Sequence, residues 1–402
     1  MISTVLFDLD NTLLSNDMES FLPNYLSALG KHMSGEVGSG ELIHALLAGT
    51  QAMIANQDPK RTLRAVFDSV FFPRLGWKPA SVRAQIDTFY TTGFPLLRAL
   101  TSPRPEAVPL VRAVFERKWR VGIVTNPVFP KTAVEQRLQW AGFGPREYPF
   151  DLITSYENSH FAKPHPEYFS EVLAQLLCNP EEALVVGDDL ERDIEPAARL
   201  GMATFRIQEQ AEPRENGHPA VAGPLPILLQ ALSSPDDELG DPHPPDPTAL
   251  PCRLCGNLAV LLDQFSQVGA WEAPSLEEGW GPTEIACHLR DVEREITQPR
   301  IDRLLEGQDP YLPAVESDLW AEERHYRWQD GPAALNEFLA SREETVARLR
   351  PLPAGSWLRS GRHALFGPTT LAEQLKFVAQ HDVMHIEQLR ACLTRGPKTS
   401  VE

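Results

Sequence analysis

Two carboxylates, Asp8 and Asp10, close the first apolar stretch of the chain, Ile2-Ser3-Thr4-Val5-Leu6-Phe7, and Asn11-Thr12 follow them. Side chains alternate along a strand, so both acids project the same way, about 6–7 Å apart along its rise. Like charges held that close repel unless a cation sits between them. A hard, oxygen-seeking ion such as Mg²⁺ meets that need and brings phosphate oxygens with it. The structural alternative is a strand that stops in a polar Asp-Asn turn. Against that alternative stand Thr125-Asn126, the lysine of Phe161-Ala162-Lys163-Pro164, and Gly187-Asp188-Asp189 with Asp193 one helical turn on. A second set of candidates lies near the other end of the chain. His381 and His385 are spaced i, i+4, and His288 is flanked by apolar residues.

The elements that must carry these groups are legible from periodicity. Residues 2–7 read as a strand. From about Met18 to Ala99 apolar residues recur at three- and four-residue spacing, which predicts a helical insert. Then the pattern alternates. Strands are expected at Arg120–Asn126, Phe150–Thr154, Ala183–Gly187 and Ala203–Ile207. Helices are expected at Pro109–Arg117, Lys131–Trp140, Pro166–Leu177, Arg192–Leu200 and Pro224–Leu232. Strands alternating with helices of this length imply a parallel sheet covered on both faces. Such sheets bind ligands beyond the carboxyl ends of their strands, which is where the acids, Thr125 and the Gly-Asp-Asp run fall. Residues 233–251, rich in proline, read as a semi-rigid linker. After it the strand signal stops, and helices are expected at Gly256–Phe265, Pro282–Leu305, Pro332–Leu349 and Thr370–Leu393, a bundle. The expected fold is thus an α/β doubly wound parallel sheet with a helical cap at about 15–99, plus an all-α four-helix bundle. The expected domains are 1–232 and 252–395.

Composition narrows the partners. The chain has 402 residues, 42% hydrophobic and 23% charged, with a formal charge of −18. That balance argues against a nucleic-acid backbone or an anionic membrane as main partner. No apolar run approaches the roughly 20 residues that span a bilayer. The five cysteines are scattered and form no disulfide framework, so a cytoplasmic setting is the expectation. Cys252-x-x-Cys255 has no second pair to complete a zinc ribbon and reads as the start of the first bundle helix.

The four strand ends, taken together in this order, resemble the haloacid dehalogenase-like hydrolase superfamily over roughly residues 1–232. The resemblance rests on Asp8-Leu9-Asp10-Asn11-Thr12, Val124-Thr125-Asn126, Lys163-Pro164 and Val186-Gly187-Asp188-Asp189-Leu190-Glu191-Arg192-Asp193. It implies that Asp8 is a covalent nucleophile toward phosphorus and that Asp10 is the acid and base. Thr125 would hydrogen-bond a phosphoryl oxygen, and Lys163 would neutralise charge. Asp188, Asp8 and the Asp10 carbonyl would hold Mg²⁺, with Asp189 or Asp193 supporting the shell. Thr12 and Asn126, polar groups at the same strand ends, are expected to meet the substrate. A residue without a carboxylate stands at the position of Asp10 in the dehalogenase branch. Asp10 therefore favours hydrolysis of a small phosphorylated metabolite.

The histidines resemble the DinB-like four-helix bundle family over roughly residues 252–393. The motifs are Gly279-Trp280-Gly281-Pro282-Thr283-Glu284-Ile285-Ala286-Cys287-His288-Leu289 and His381-Asp382-Val383-Met384-His385-Ile386-Glu387-Gln388-Leu389. The resemblance implies that His288, His381 and His385 bind a divalent transition metal such as Zn²⁺ or Ni²⁺. It also implies that a low-molecular-weight thiol is a possible co-substrate. The alternatives are a pair of purely structural histidines, a bundle whose thiol chemistry is the main function, and a binding or regulatory protein with a vestigial phosphatase pocket.

Overall fold

The computed structural model describes residues 1–33, 38–209, 221–233, 241–269, 271 and 279–395. The chain divides into two compact units, Met1–Pro245 and Asp246–Glu402.

The first unit begins with β1 (Thr4–Phe7), whose four residues are all buried. Burial on both faces explains why this run is continuously apolar instead of alternating. β2 (Leu14–Asn16) follows, then α1 (Met18–His32), α2 (Ser39–Ile54), α3 (Leu63–Arg74) and α4 (Pro79–Thr92), then β3 (Thr101–Pro103). β2 and β3 pair antiparallel. The helical insert therefore stands on a two-stranded stem that periodicity did not reveal, because three-residue strands are too short to show alternation. Inside the insert Phe21, Tyr25, Phe89 and Phe94 pack with ring centroids 5.9–6.4 Å apart, the tilted and edge-on arrangements that aromatic quadrupoles favour.

Beyond the stem come α5 (Ala107–Glu116), β4 (Arg120–Ile123), α6 (Lys131–Trp140), β5 (Leu152–Ile153), α7 (Pro166–Leu176) and β6 (Ala183–Gly187). A π-helical turn (Leu190–Ile194) runs into α8 (Glu195–Leu200), and β7 (Ala203–Ile207), β8 (Val221–Gly223) and α9 (Leu225–Ser233) complete the unit. The strands form one parallel sheet in the order β5-β4-β1-β6-β7-β8. β1 lies between β4 and β6, with Phe7 opposite Ile123 on one side and Val186 on the other. Whatever follows residues 7, 123 and 186 must therefore emerge at one edge.

The proline-rich stretch 233–251 differs from the linker expected of it. Residues 234–240 lie outside the described residues. His243 is buried against the first unit, with Nε2 2.9 Å from Thr204 Oγ1 and its backbone N–H 3.4 Å from the Met202 carbonyl. Proline here shapes a strap that packs instead of a free spacer.

In the second unit Asp246 caps a short turn and α10 runs from Leu250 to Ser266, starting ahead of the expected Gly256. α11 (Pro282–Val292) continues through a π-helical turn (Glu293–Thr297) into α12 (Gln298–Glu306). Then come β9 (Tyr311–Leu312), α13 (Trp320–Glu323), α14 (Gly331–Leu349), β10 (Ser360–His363), β11 (Gly367–Thr370) and α15 (Leu371–Arg395). α11 packs on α14, and α10 on α15. The helices of this unit are accompanied by a small sheet, β11-β10-β9, that periodicity did not reveal. Its strands are two to four residues long, and β10 turns into β11 through Gly367 at φ +73°, a conformation that glycine adopts without strain.

A buried ion cluster ties α14, α15 and the π-helical turn together. Arg342 donates to both oxygens of Asp382 at 2.6 and 3.0 Å, and its Nε donates to Glu293 at 3.0 Å. All three side chains are at most 2% exposed. Removing the guanidinium leaves two carboxylates buried without a counter-charge. Arg342→Met should therefore lower the opening free energy of α14 and α15 amides by about 3–5 kcal/mol, read by native-state hydrogen exchange. A loss under about 1 kcal/mol would show that water reaches the cluster.

Candidate active site and candidate metal centre

The register of the central strands brings the first set of residues to one place. Asp8 leaves β1, Thr125 and Asn126 lie just past β4, and Asp188 follows β6. Lys163 comes from the loop before α7. Together with Asp10, Asp189, Arg192 and Asp193 they line a cavity of roughly 170 Å³. Lys163 is 2% exposed, and its ammonium donates to Asp8 Oδ1 at 2.8 Å and to Asp193 Oδ1. Asp193 Oδ2 accepts from the Asp189 backbone N–H at 3.1 Å, so both oxygens of Asp193 are engaged. Gly187 makes this possible, because a Cβ there would overlap the Asp193 carboxylate.

Carboxylate oxygens of Asp8, Asp188 and Asp193 lie within 4.8 Å of one another. Burial pushes the Asp8 carboxyl well above its ordinary value. Lys163 opposes that shift, while Asp193, Asp10 and Asp188 add to it. Burial, then Asp193, lifts Asp188 to about 6. Desolvation alone would pull Lys163 down, yet Asp193 and Asp8 outweigh it and hold the ammonium charged. Four of the lining carboxylates, those of Asp8, Asp10, Asp188 and Asp193, face two buried or bound cations, Lys163 and Arg137. The excess of two negative charges matches a divalent cation, and an all-oxygen donor set suits Mg²⁺.

Asp10 sits at the same cavity but is held differently. Its Oδ1 accepts from Asn16 Nδ2 at 2.8 Å and its Oδ2 from Arg137 Nη1 at 2.5 Å. Asn11, in the turn just after it, has φ +59° and accepts from Arg104 through its carbonyl at 2.5 Å. Asn126 lines the cavity with its Oδ1 buried and unbonded among the described residues. Thr125 is buried at the cavity wall. Thr12 is brought close in sequence only: its buried Oγ1 is unbonded among the described residues, and it does not line the cavity. Asp189 lines the cavity too, but its carboxylate accepts from the Glu191 and Arg192 N–H groups at 3.0 Å. It caps the π-helical turn and is not among the converging acids.

Sequence reasoning missed Arg137 and Asn16. Arg137 is 1% exposed, stands with its Cζ 4.7 Å from the Phe129 ring centroid, and keeps Nε and Nη2 unbonded among the described residues. A charged residue in a helix otherwise read as a solvated face gives no local sign of burial. The only signal was its place within the apolar row Ala133, Val134, Arg137, Leu138 of α6.

The second set also converges. His381 Nε2 lies 3.0 Å from His288 Nε2 and 3.0 Å from His385 Nε2. Three nitrogens bound to one ion at about 2.0–2.1 Å sit roughly 2.9–3.4 Å apart, so the cluster has the size of a coordination face. Burial, then His385, pulls His288 down to about 3. Burial and the neighbouring imidazoles pull His381 well down, and burial lowers His385. All three rings are thus neutral at pH 7 and offer lone pairs. His385 Nδ1 lies 2.9 Å from Gln388 Oε1, which accepts from its N–H and leaves the lone pair on Nε2. Trp280 stacks parallel to His385, with centroids 6.1 Å apart. The site contains no thiol from Cys252 or Cys255, which lie in the opening turns of α10.

Comparison with known proteins finds two family matches. Residues 2–201 match the haloacid dehalogenase-like hydrolases, and residues 226–389 match the DinB superfamily, a match that starts within α9. The chain is similar to glyceraldehyde 3-phosphate phosphatase of Methanopyrus kandleri, 28% identical over 54% of this chain and 90% of that protein. It is also similar to pyrophosphatase PpaX of Anoxybacillus flavithermus, 25% identical over 54% of this chain and 87% of that protein. Among solved structures, a HAD phosphatase from Thermococcus onnurineus is 21% identical, with a TM-score of 0.39, over 57% of this chain and 98% of that one. The four-helix-bundle protein YfiT of Bacillus subtilis is 17% identical, with a TM-score of 0.34, over 46% and 93%. Residues 2–201 are thus similar to the haloacid dehalogenase-like hydrolases, and residues 226–389 to the DinB superfamily.

Proposed function

We propose that the first unit is a Mg²⁺-dependent phosphatase that hydrolyses small phosphate monoesters through an aspartyl phosphate on Asp8. The observation that carries this reading is the pairing of Asp8 with buried Lys163 at the mouth of a carboxylate-lined cavity. Asp8 attacks phosphorus, the P–O bond to the alcohol breaks, and Asp10, which takes up a proton on substrate binding, gives it to the departing alkoxide. Water then attacks the aspartyl phosphate, Asp10 takes the water's proton, and phosphate leaves with Asp8 restored. Lys163 offsets charge on the phosphoryl oxygens, and Asn126, whose Oδ1 is unbonded among the described residues, accepts from a hydroxyl of the substrate. Mg²⁺, held by Asp8, Asp188 and the Asp10 carbonyl with Asp193 behind them, would supply the remaining neutralisation. Among the described residues of the insert, only Met18 lines this cavity, whose volume suits a small phosphorylated metabolite. An intact set of acids around a buried lysine weighs against a vestigial pocket.

For the second unit we propose one divalent transition ion, such as Zn²⁺ or Ni²⁺, on His288, His381 and His385. The neutral, converging nitrogens carry this reading. Positions left open on such an ion admit water or a substrate atom.

Asp8→Asn should abolish Mg²⁺-dependent turnover of p-nitrophenyl phosphate while leaving the circular dichroism spectrum unchanged; surviving turnover would refute the nucleophile. Protons and Mg²⁺ compete for Asp188, whose carboxyl is raised to about 6. The rise in melting temperature that Mg²⁺ produces at pH 7.5 should therefore shrink as pH falls through 6, and a pH-independent effect would remove Asp188 from the site. Elemental analysis should find about one transition ion per chain, lost in His381→Ala/His385→Ala. Equal metal in both proteins would dispose of the triad as its ligands.

A further inference from the structure

The second unit holds a cavity that neither the histidine triad nor the helix packing accounts for. It has a volume of roughly 210 Å³ and reaches His381 at one end. Its walls are apolar and come from α11, α12, the π-helical turn and α15: Leu289, Val292, Ile296 and Val378 among them. Phe377 and Val315 line it and are themselves 37% and 39% exposed, so an apolar rim faces solvent. A cavity of about 150 Å³ with such walls holds benzene. This one therefore takes a ring or branched chain with a short extension, on the order of ten non-hydrogen atoms.

Two polar groups break the apolar lining in a way that a dry cavity does not explain. Gln374 is 5% exposed, lines the cavity, and its Nε2 has no hydrogen-bond partner among the described residues. Leaving such a donor buried and unbonded costs about 1–3 kcal/mol. Arg300 also lines the cavity. One of its N–H groups donates to the Pro313 carbonyl at 2.9 Å, and no carboxylate pairs with it among the described residues. Arg342, the other cation of the lining, is already matched by Asp382 and Glu293. The cavity thus presents one unmatched cation and one unmatched amide donor beside an apolar wall. A carboxylate accepts from both.

We propose that this cavity binds a small organic acid with an apolar body, its carboxylate on Arg300 and Gln374 and its body lying toward His381. As the substrate class of the bundle this rests on the metal reading above, whereas the binding itself does not. Burial and the neighbouring Arg303 lower the Arg300 pKa, and an anion relieves that cost.

The test uses the full-length protein, both metal-stripped and Zn²⁺-loaded, with 3-phenylpropanoate as the probe and isothermal titration as the readout. The acid should bind both forms at least tenfold more tightly than 3-phenylpropan-1-ol or 3-phenylpropylamine. Arg300→Gln should weaken it about tenfold and Gln374→Leu about threefold or more, with circular dichroism confirming that each variant folds. Acid binding in a protein whose histidines take up no Zn²⁺ when it is offered supports the cavity and overturns only the metal reading. Metal on the histidines with no acid binding overturns the cavity proposal. Equal affinity for acid, alcohol and amine, or affinity untouched in both variants, overturns it as well.

Discussion

The first unit is organised around a repulsion. Asp8, Asp10, Asp188 and Asp193 are brought to one edge of a sheet whose strands are buried on both faces, and each acid raises the cost of ionising the next. Lys163 answers part of that cost by bridging Asp8 and Asp193 from within the protein. The remainder is the negative charge that the proposed Mg²⁺ would meet. Burial gives the arrangement its strength, since the same charges on an exposed loop would be screened by water.

The backbone converts that demand into geometry. Parallel pairing on both sides of β1 sets Phe7 level with Ile123 and Val186, so three chain segments reach the edge together. Small local devices then aim the side chains. Gly187 leaves room for Asp193, the left-handed Asn11 turns the chain after Asp10, and Arg137 with Asn16 clamps the Asp10 carboxylate. Asp10 is held on both oxygens by groups outside the Asp8–Lys163 pair. Within one cavity, the two acids that follow β1 are thereby separated in environment.

The second unit instead brings neutral groups together. Desolvation keeps three imidazoles uncharged, so their nitrogens tolerate a 3.0 Å approach that imidazolium ions would not. The adjoining cluster of Arg342, Asp382 and Glu293 carries one more negative than positive charge, which favours a cation nearby. Asp382 lies between the two histidines of α15 in sequence, and its bond to Arg342 fixes the helix face that presents them. The π-helical turn at Glu293–Thr297 brings Glu293 to the same arginine.

How much of this was readable beforehand follows from the range of the interactions involved. The parallel strands, the insert, the acids, Lys163 and the histidine pair all leave local marks: apolar runs, three-and-four spacing, and polar residues at strand ends. β2, β3 and the β9–β11 sheet left none, because segments of two to four residues carry no period. The 241–245 strap looked like free chain because proline density says nothing of what a segment packs against. Chemistry-bearing residue types and their order were determined by the sequence alone, since they depend on covalent identity and on short repeats. Tertiary structure alone decided that Asp193 and not Asp189 joins Asp8, that Thr12 stays out of the cavity lining, that Arg137 is buried on Asp10, and that Gln374 and Arg300 line a cavity. Each of those depends on contacts between residues far apart in the chain, and a one-dimensional pattern cannot carry a distance.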